Sequence, residues 1–310
     1  MMRSGARHIA CAIRSPGTLR AMGFVAVSAL SGTIMNACIR YASLDVHAFE
    51  VAFFRAFFGF CVLAPVFLRR GSHPLRTGRF RLHVTRGTIN GVAQLMFFFG
   101  LGLTPLAKVA ALNFSSPLFT TILAIILLGE AIRARRITAL VVGFAGALVI
   151  LRPGMVALDV GALLILASSA IVSVTMIMAK ILVRTDSSLT ITLYTALFAV
   201  PVTFAAMLPF WQTPTLVQLA WFVVIGALGS LGHLCLAQAL KEAEITAILP
   251  IAFTRLIWAS IIGYVVFAEV PDLWIWVGGV MIFSAATYIA FRERAVKKAL
   301  PAPEAGAPPM

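Results

Sequence analysis

The chain has 310 residues, 61% hydrophobic and only 12% charged, with a mean hydropathy of +0.99. Soluble domains are about half apolar and a quarter charged, so a soluble enzyme or DNA-binding module is excluded: a water-soluble fold could not hide this much apolar surface. The net charge of +14, which in a soluble protein would point to nucleic acid, falls almost wholly between the apolar stretches, and no nucleic-acid partner is expected.

In chain order ten apolar segments stand out, at 20–40, 47–68, 83–103, 105–128, 136–151, 159–181, 188–209, 215–238, 244–267 and 272–291. A run of about 20 apolar residues crosses a bilayer as a helix. The fifth is the shortest, yet Leu140 to Leu151 carries no charge. The expected fold is an all-α integral membrane protein of ten transmembrane helices. Residues 1–18 read as a cytoplasmic tail, because Arg3, Arg7 and Arg14 flank no apolar core of a signal peptide. Residues 295–310, with Pro301, Pro303, Pro308 and Pro309, read as a disordered cytoplasmic tail. Cys11, Cys38, Cys61 and Cys235 show no metal-ligand spacing and read as thiols, so neither metal nor cofactor is expected.

Orientation follows from Lys and Arg, which stay on the cytoplasmic side during insertion. With a cytoplasmic N-terminus, the inside segments hold Arg3, Arg7, Arg14 and Arg20, then Arg69, Arg70, Arg76, Arg79 and Arg81, and then Arg133, Arg135 and Arg136. They also hold Lys180, Arg184, Lys241, Arg292, Arg294, Lys297 and Lys298, while the outside keeps only Arg40, Lys108 and Arg152. That asymmetry places both termini in the cytoplasm of a multi-pass inner-membrane protein and favours an even number of spans.

The two halves resemble each other. Span four ends in Leu127-Leu-Gly-Glu130 and span nine in Val266-Phe-Ala-Glu269. Nine and sixteen residues past Glu130 come Ala139 and Gly146, and at the same offsets past Glu269 come Gly278 and Ala285. Small residues at such spacing let membrane helices approach closely. If each half has five helices, the second enters the membrane inverted, a plan in which two bundles rock about a central site.

At these residues the chain resembles the drug/metabolite transporter superfamily, in particular its EamA-type members with two five-helix repeats. The marks are Phe49-Glu-Val-Ala-Phe-Phe-Arg55, Thr104-Pro-Leu-Ala-Lys108, Ser116-Pro-Leu-Phe119 with Leu128-Gly-Glu130, and Phe267-Ala-Glu-Val-Pro-Asp272. Their order and spacing together carry the likeness, from about residue 20 to 294. The resemblance implies a first repeat over 19–152, a second over 153–294, and a carrier that hydrolyses no nucleotide. Similar proteins are associated with amino acids, riboflavin, S-adenosylmethionine, nucleotide-sugar-like compounds and metallophores. The second repeat departs from the first in having uncharged Thr195-Ala-Leu-Phe where an arginine equivalent to Arg55 would stand.

An ionised side chain at the bilayer centre costs at least about 2.5–3.5 kcal/mol, so it needs a partner or a water-filled cavity. Arg255 lies about twelve residues into span nine, roughly 18 Å of helical rise from its start, with Pro250 shortly before it. It is the first candidate to bind a substrate carboxylate; a structural ion pair between helices is the alternative. Arg55 either joins it or serves structure, and Arg86, near the end of span three, is expected to snorkel to the headgroups. His233, the one intramembrane group that ordinarily titrates near neutrality, could relay a proton, bond a substrate or bridge helices.

Asn113 and Gln94 lie deep enough to line a cavity, while Asn36, Asn90, Ser115, Ser116, Thr254 and Gln238 read mainly as interhelical contacts. Tyr194 and Trp258 could stack on a flat substrate; Trp274 and Trp276 read as interface anchors. The substrate-binding set is therefore Arg255, Trp258, Asn113, Gln94, Arg55, His233 and Tyr194. The expected function is secondary transport of a small polar metabolite, a carboxylate-bearing zwitterion such as an amino acid or S-adenosylmethionine first, with riboflavin or a metallophore next. A membrane catalyst would need paired acids or a Ser–His set at depth, and a scaffold or sensor would need a soluble domain or long loop. A channel would show rings of repeated charge. The partners expected are a small molecule and the bilayer, with a homodimer left open.

Overall fold

The computed structural model describes residues 16–70, 77–128, 134–153, 159–182, 185–186, 188–242 and 251–299. Arg76, Glu130, Arg133, Arg184, Glu244, Pro250 and both chain ends fall outside the described residues. An apolar chain in lipid has to satisfy its own backbone N–H and C=O groups, and among the described residues it does so with helices and no strand.

The helices are α1 (Pro16–Ala42), α2 (Ala48–Arg70), α3 (Phe80–Leu103), α4 (Leu106–Asn113), α5 (Ser116–Leu128), α6 (Ala134–Leu151), α7 (Val160–Leu182), α8 (Ser188–Met207), α9 (Leu216–Glu242), α10 (Thr254–Phe267) and α11 (Leu273–Ala299). Two boundaries differ from the sequence reading. The first helix already begins at Pro16, and α11 runs through 295–299, a stretch expected to be disordered. Six stretches among the described residues are long and apolar enough to span a membrane: Leu19–Ala42, Leu106–Ile126, Val160–Ala179, Thr190–Phe210, Leu216–Leu236 and Leu273–Phe291. Helices α2 and α3 are also long; α2 carries Glu50 and Arg55, and α3 carries Arg86, Asn90 and Gln94.

Proline and caps set the breaks. Thr104, ahead of Pro105, is extended (φ −124°, ψ 138°) and closes α3. Pro117 has no N–H to give the Asn113 carbonyl, so the segment from Leu106 to Leu128 is interrupted at Phe114–Ser115. The other interruption inside an apolar run comes at Phe253, just before α10. The two breaks meet, with the Phe114 and Phe253 rings 5.6 Å apart. Helix α10 ends where Ala268 turns left-handed (φ 54°) and the Glu269 N–H bonds back to the Gly263 carbonyl at 3.0 Å.

The closest helix pairs are α1 with α9, α3 with α7, and α6 with α11; α2 also packs on α8 and α9, and α3 on α8. The α6–α11 contact uses the small residues picked out in the sequence. A Cβ built on Gly146 would lie 2.8 Å from the Gly278 carbonyl, and one on Gly143 would meet Ala285 at 3.2 Å. Outward-facing side chains are apolar, among them Val141, Leu148, Leu216 and Val265, as lipid contact requires.

The two ends of the bundle differ. At the end holding the C-termini of α1, α3 and α6 and the N-termini of α4 and α7, buried side chains fill the interior, including Ile39, Leu101, Leu106, Val109 and Phe222. Three ion pairs tie this end together: Arg40 with Glu269, Lys108 with Asp159 (2.7 Å) and Arg152 with Asp272 (2.5 Å). Arg40 also donates to the Thr104 carbonyl (3.2 Å), and its guanidinium lies 4.8 Å from the Phe267 ring centre. The Leu106 N–H donates to Glu269 at 3.0 Å, so one carboxylate ties α10 to both α1 and α4. Burial alone would raise the Asp159 carboxyl, but Lys108, the Ala162 N–H and the Thr104 hydroxyl outweigh it and hold Asp159 below the usual carboxylate range.

Candidate functional site

The opposite half of the bundle is hollow. A cavity of about 630 Å³ runs from the middle of the bundle toward the N-termini of α3 and α8, a size within the range of about 300–1,000 Å³ common for small-molecule sites. Helical spacing explains its lining. Arg86, Asn90 and Gln94 fall at i, i+4 and i+8 on α3, and Ser168, Val172 and Thr175 follow one stripe of α7. Gly226, Gly229, Ser230 and His233 supply α9; Met35, Arg55, Asn113, Ser116 and Arg255 complete the middle.

Arg55 donates from Nη1 to Gln94 Oε1 (3.1 Å), and Gln94 Nε2 donates in turn to the Ala52 carbonyl (3.0 Å). The amide thus fixes the guanidinium and is itself fixed. Arg55 Nη2 stands 3.5 Å from His233 Nε2, which can accept from it, while Arg55 Nε is buried with no partner among the described residues. Arg255 touches the cavity from α10, and no hydrogen bond or acid meets it among the described residues. Space for each guanidinium comes from a missing side chain: a Cβ on Gly32 would lie 3.1 Å from Arg255 Nη2, and one on Gly229 would lie 3.5 Å from Arg55. The described lining contains no Asp or Glu.

The third cation corrects the sequence reading. Arg86 was expected to reach the headgroups, but it turns inward and donates to the Thr175 carbonyl (3.1 Å), the Ile191 carbonyl (3.3 Å) and the Thr195 hydroxyl. Helices α7 and α8 pack on α3 and offer those oxygens. Thr195, standing where the second repeat lacks an arginine, thus receives one from α3.

Of the seven predicted site residues, the structure brings five to the cavity: Arg55, Gln94, Asn113, His233 and Arg255. Trp258 is not among the lining residues and is 36% exposed on the outer surface. Three residues fall short of a full 3.6-residue turn, and that offset carries the indole off the Arg255 side. Tyr194 is buried behind the cavity wall, its ring 4.7 Å from His83 and stacked on Phe198 at 5.9 Å. The sequence reading missed Arg86 and the hydroxyls of α7; the i, i+4, i+8 series through Arg86, Asn90 and Gln94 was the signal that could have found the arginine. Asn90 and Ser116, read as interhelical contacts, also reach the cavity. Gln238 bonds Glu242 (2.7 Å) away from it.

A polar cavity halfway across an apolar helical bundle is the geometry of a carrier, and comparison with known proteins agrees. The EamA-like transporter family matches twice, over residues 19–152 and 159–291. The chain belongs to the EamA-like transporter family. It is 31% identical to an S-adenosylmethionine uptake transporter of Rickettsia bellii, over 88% of this chain and 94% of the relative. It is 27% identical to a riboflavin transporter of Brucella anthropi, over 83% and 96% respectively. A solved crystal structure shares the fold at a TM-score of 0.59 with 18% identity, covering 92% of this chain and 99% of that one. As an EamA-like protein the chain is a multi-pass membrane protein.

Proposed function

We propose that this EamA-like protein carries a small zwitterion bearing a carboxylate, S-adenosylmethionine first, across the inner membrane by alternating access. The observation that carries the reading is a cavity at mid-bundle whose two unneutralised guanidiniums, Arg55 and Arg255, meet no acid among the described residues. A carboxylate seated between them accepts charge-assisted hydrogen bonds. Phe97, Asn113 and Ser169 also line the cavity, and an aromatic face with neutral oxygens suits the sulfonium or ammonium of such a substrate. The similarity to S-adenosylmethionine carriers supports this choice.

In this reading the chain has ten spans, α4 and α5 forming one and α10 with the segment before it another. The spans make two inverted repeats, 19–152 and 153–294. The packing supports that arrangement: α3 on α7 corresponds to α9 on α1 when the halves are exchanged, and the breaks at Phe114 and Phe253 correspond and touch. Both termini are cytoplasmic, which makes the ion-paired end external and the cavity open to the cytoplasm.

The test is uptake of labelled S-adenosylmethionine into proteoliposomes, with riboflavin as the competing ligand. We expect Arg255→Ala to lower uptake about a hundredfold or more, the usual scale for removing one partner of a buried charged contact, with unchanged membrane expression. Uptake by Arg255→Ala equal to wild type would remove the arginine from the site, and riboflavin uptake in place of S-adenosylmethionine would replace the substrate.

A further inference from the structure

The cavity's charge is one-sided, and that has a consequence for the empty carrier. Arg55, Arg86 and Arg255 line it, and no carboxylate does among the described residues. Arg86 is satisfied by three neutral oxygens, whereas Arg55 Nε has no partner and Arg255 meets no acid among the described residues. While the cavity is open, water hydrates these cations. During the passage from one open side to the other the cavity closes and water leaves it, and an unpaired ion in a dry interior costs several kcal/mol. A bound carboxylate offsets one of the pair's two positive charges on the loaded passage. On the unloaded passage no acid among the described lining residues does so.

We propose that the Arg55–Arg255 pair is an anion site in its own right, which takes a small monovalent anion such as chloride whenever the substrate carboxylate is absent. The unloaded carrier then returns only with an anion bound, and transport is an exchange of substrate for chloride, or of one carboxylate for another. This rests on the carrier reading above. Geometry supports a small ligand: Arg55 and Arg255 both line the cavity, Gly32 and Gly229 make room for their guanidiniums, and Gln94 keeps Arg55 in place without neutralising it. Each cycle moves one substrate in one direction and one anion in the other; with S-adenosylmethionine, a net monocation, two positive charges enter per turnover, so the vesicles carry a potassium and valinomycin shunt to return them.

The experiment uses the full chain in proteoliposomes and labelled S-adenosylmethionine, with riboflavin in parallel. The lumen holds either chloride or dextran sulfate, a polyanion too large for the cavity. Exchange of labelled for unlabelled substrate is measured in both, because exchange needs no unloaded return. We expect net uptake into substrate-free vesicles to fall at least about fivefold without luminal chloride, while exchange is unchanged. Radioactive chloride should leave the lumen in step with substrate influx. In Arg55→Gln the chloride dependence of net uptake should shrink, since one cation less has to be neutralised. Equal net uptake from the two lumens, with exchange intact, overturns the anion site and leaves the carrier reading standing. Absence of exchange for both substrates overturns the carrier reading, and the anion site with it.

Discussion

At one end of the bundle Arg40, Lys108 and Arg152 each meet an acid; in the cavity Arg55, Arg86 and Arg255 meet none among the described residues. Basic residues in equal number are set in opposite electrostatic surroundings. Where acids come from neighbouring helices, the pairs tie those helices together around a smaller pocket of about 340 Å³. Where they are withheld, Arg86 rests on neutral oxygens while Arg55 and Arg255 face the cavity. A pair made within the protein ties helices together; a guanidinium without an acid leaves room for an anion that brings its own charge.

The strongest way to break this contrast is to give the cavity the acid it lacks. In Gly229→Asp the new side chain starts 3.5 Å from the Arg55 guanidinium, with only the flexible Met35 thioether closer. We expect uptake of a carboxylate substrate to fall at least about tenfold, while Gly229→Asn, uncharged and nearly the same size, keeps more of it. Equal losses in both variants would mean that bulk, not charge, matters there.

The second intervention loosens the ion-paired end. Glu269→Gln removes the charge that joins α10 to Arg40 and weakens its bond to the Leu106 N–H. We expect transport to fall about threefold to tenfold, because one of the two end states loses a partly buried pair. An Arg40→Glu, Glu269→Arg double variant should recover more than either single change. A thiol reagent applied from the side of the ion-paired end should label Leu106→Cys faster in the Glu269→Gln background. Unchanged labelling would show that the pair does not hold this end.

The smallest effect is expected at Lys108–Asp159, which is partly exposed. The folded Asp159 carboxyl sits below its ordinary value, so its stabilisation is complete above the unfolded carboxylate value near about 4 and is lost as pH falls through the lower folded one. Thermal unfolding of the purified protein should therefore drop on acidification below about pH 4, and Asp159→Asn should be flatter over that range. A steeper acid limb in the variant would reverse the sign argued here.

Much of the fold was legible in sequence because lipid imposes a simple rule: apolar runs become helices, and Lys and Arg mark their ends. Individual helix faces were legible where a polar series kept helical spacing, as with Asn90 and Gln94. They were misread where one residue was judged by depth alone: Arg86 lies near a helix end, so snorkelling looked open to it, but carbonyls on two neighbouring helices hold it. Trp258 failed for a related reason, since sharing a side of a helix with Arg255 was inferred from spacing without knowing where α9 and α11 stand.

What the amino-acid sequence determined by itself is the solvent of each segment: which stretches live in lipid, where they end, and that three arginines lie within them. Hydropathy and charge act residue by residue, so they survive without a structure. Which cation meets which acid was decided only by tertiary structure, because Arg40 and Glu269, or Arg152 and Asp272, come from opposite halves of the chain. The rotation of each helix about its axis, set by close packing such as Gly146 against Gly278, determines whether a charge is paired or left facing the cavity.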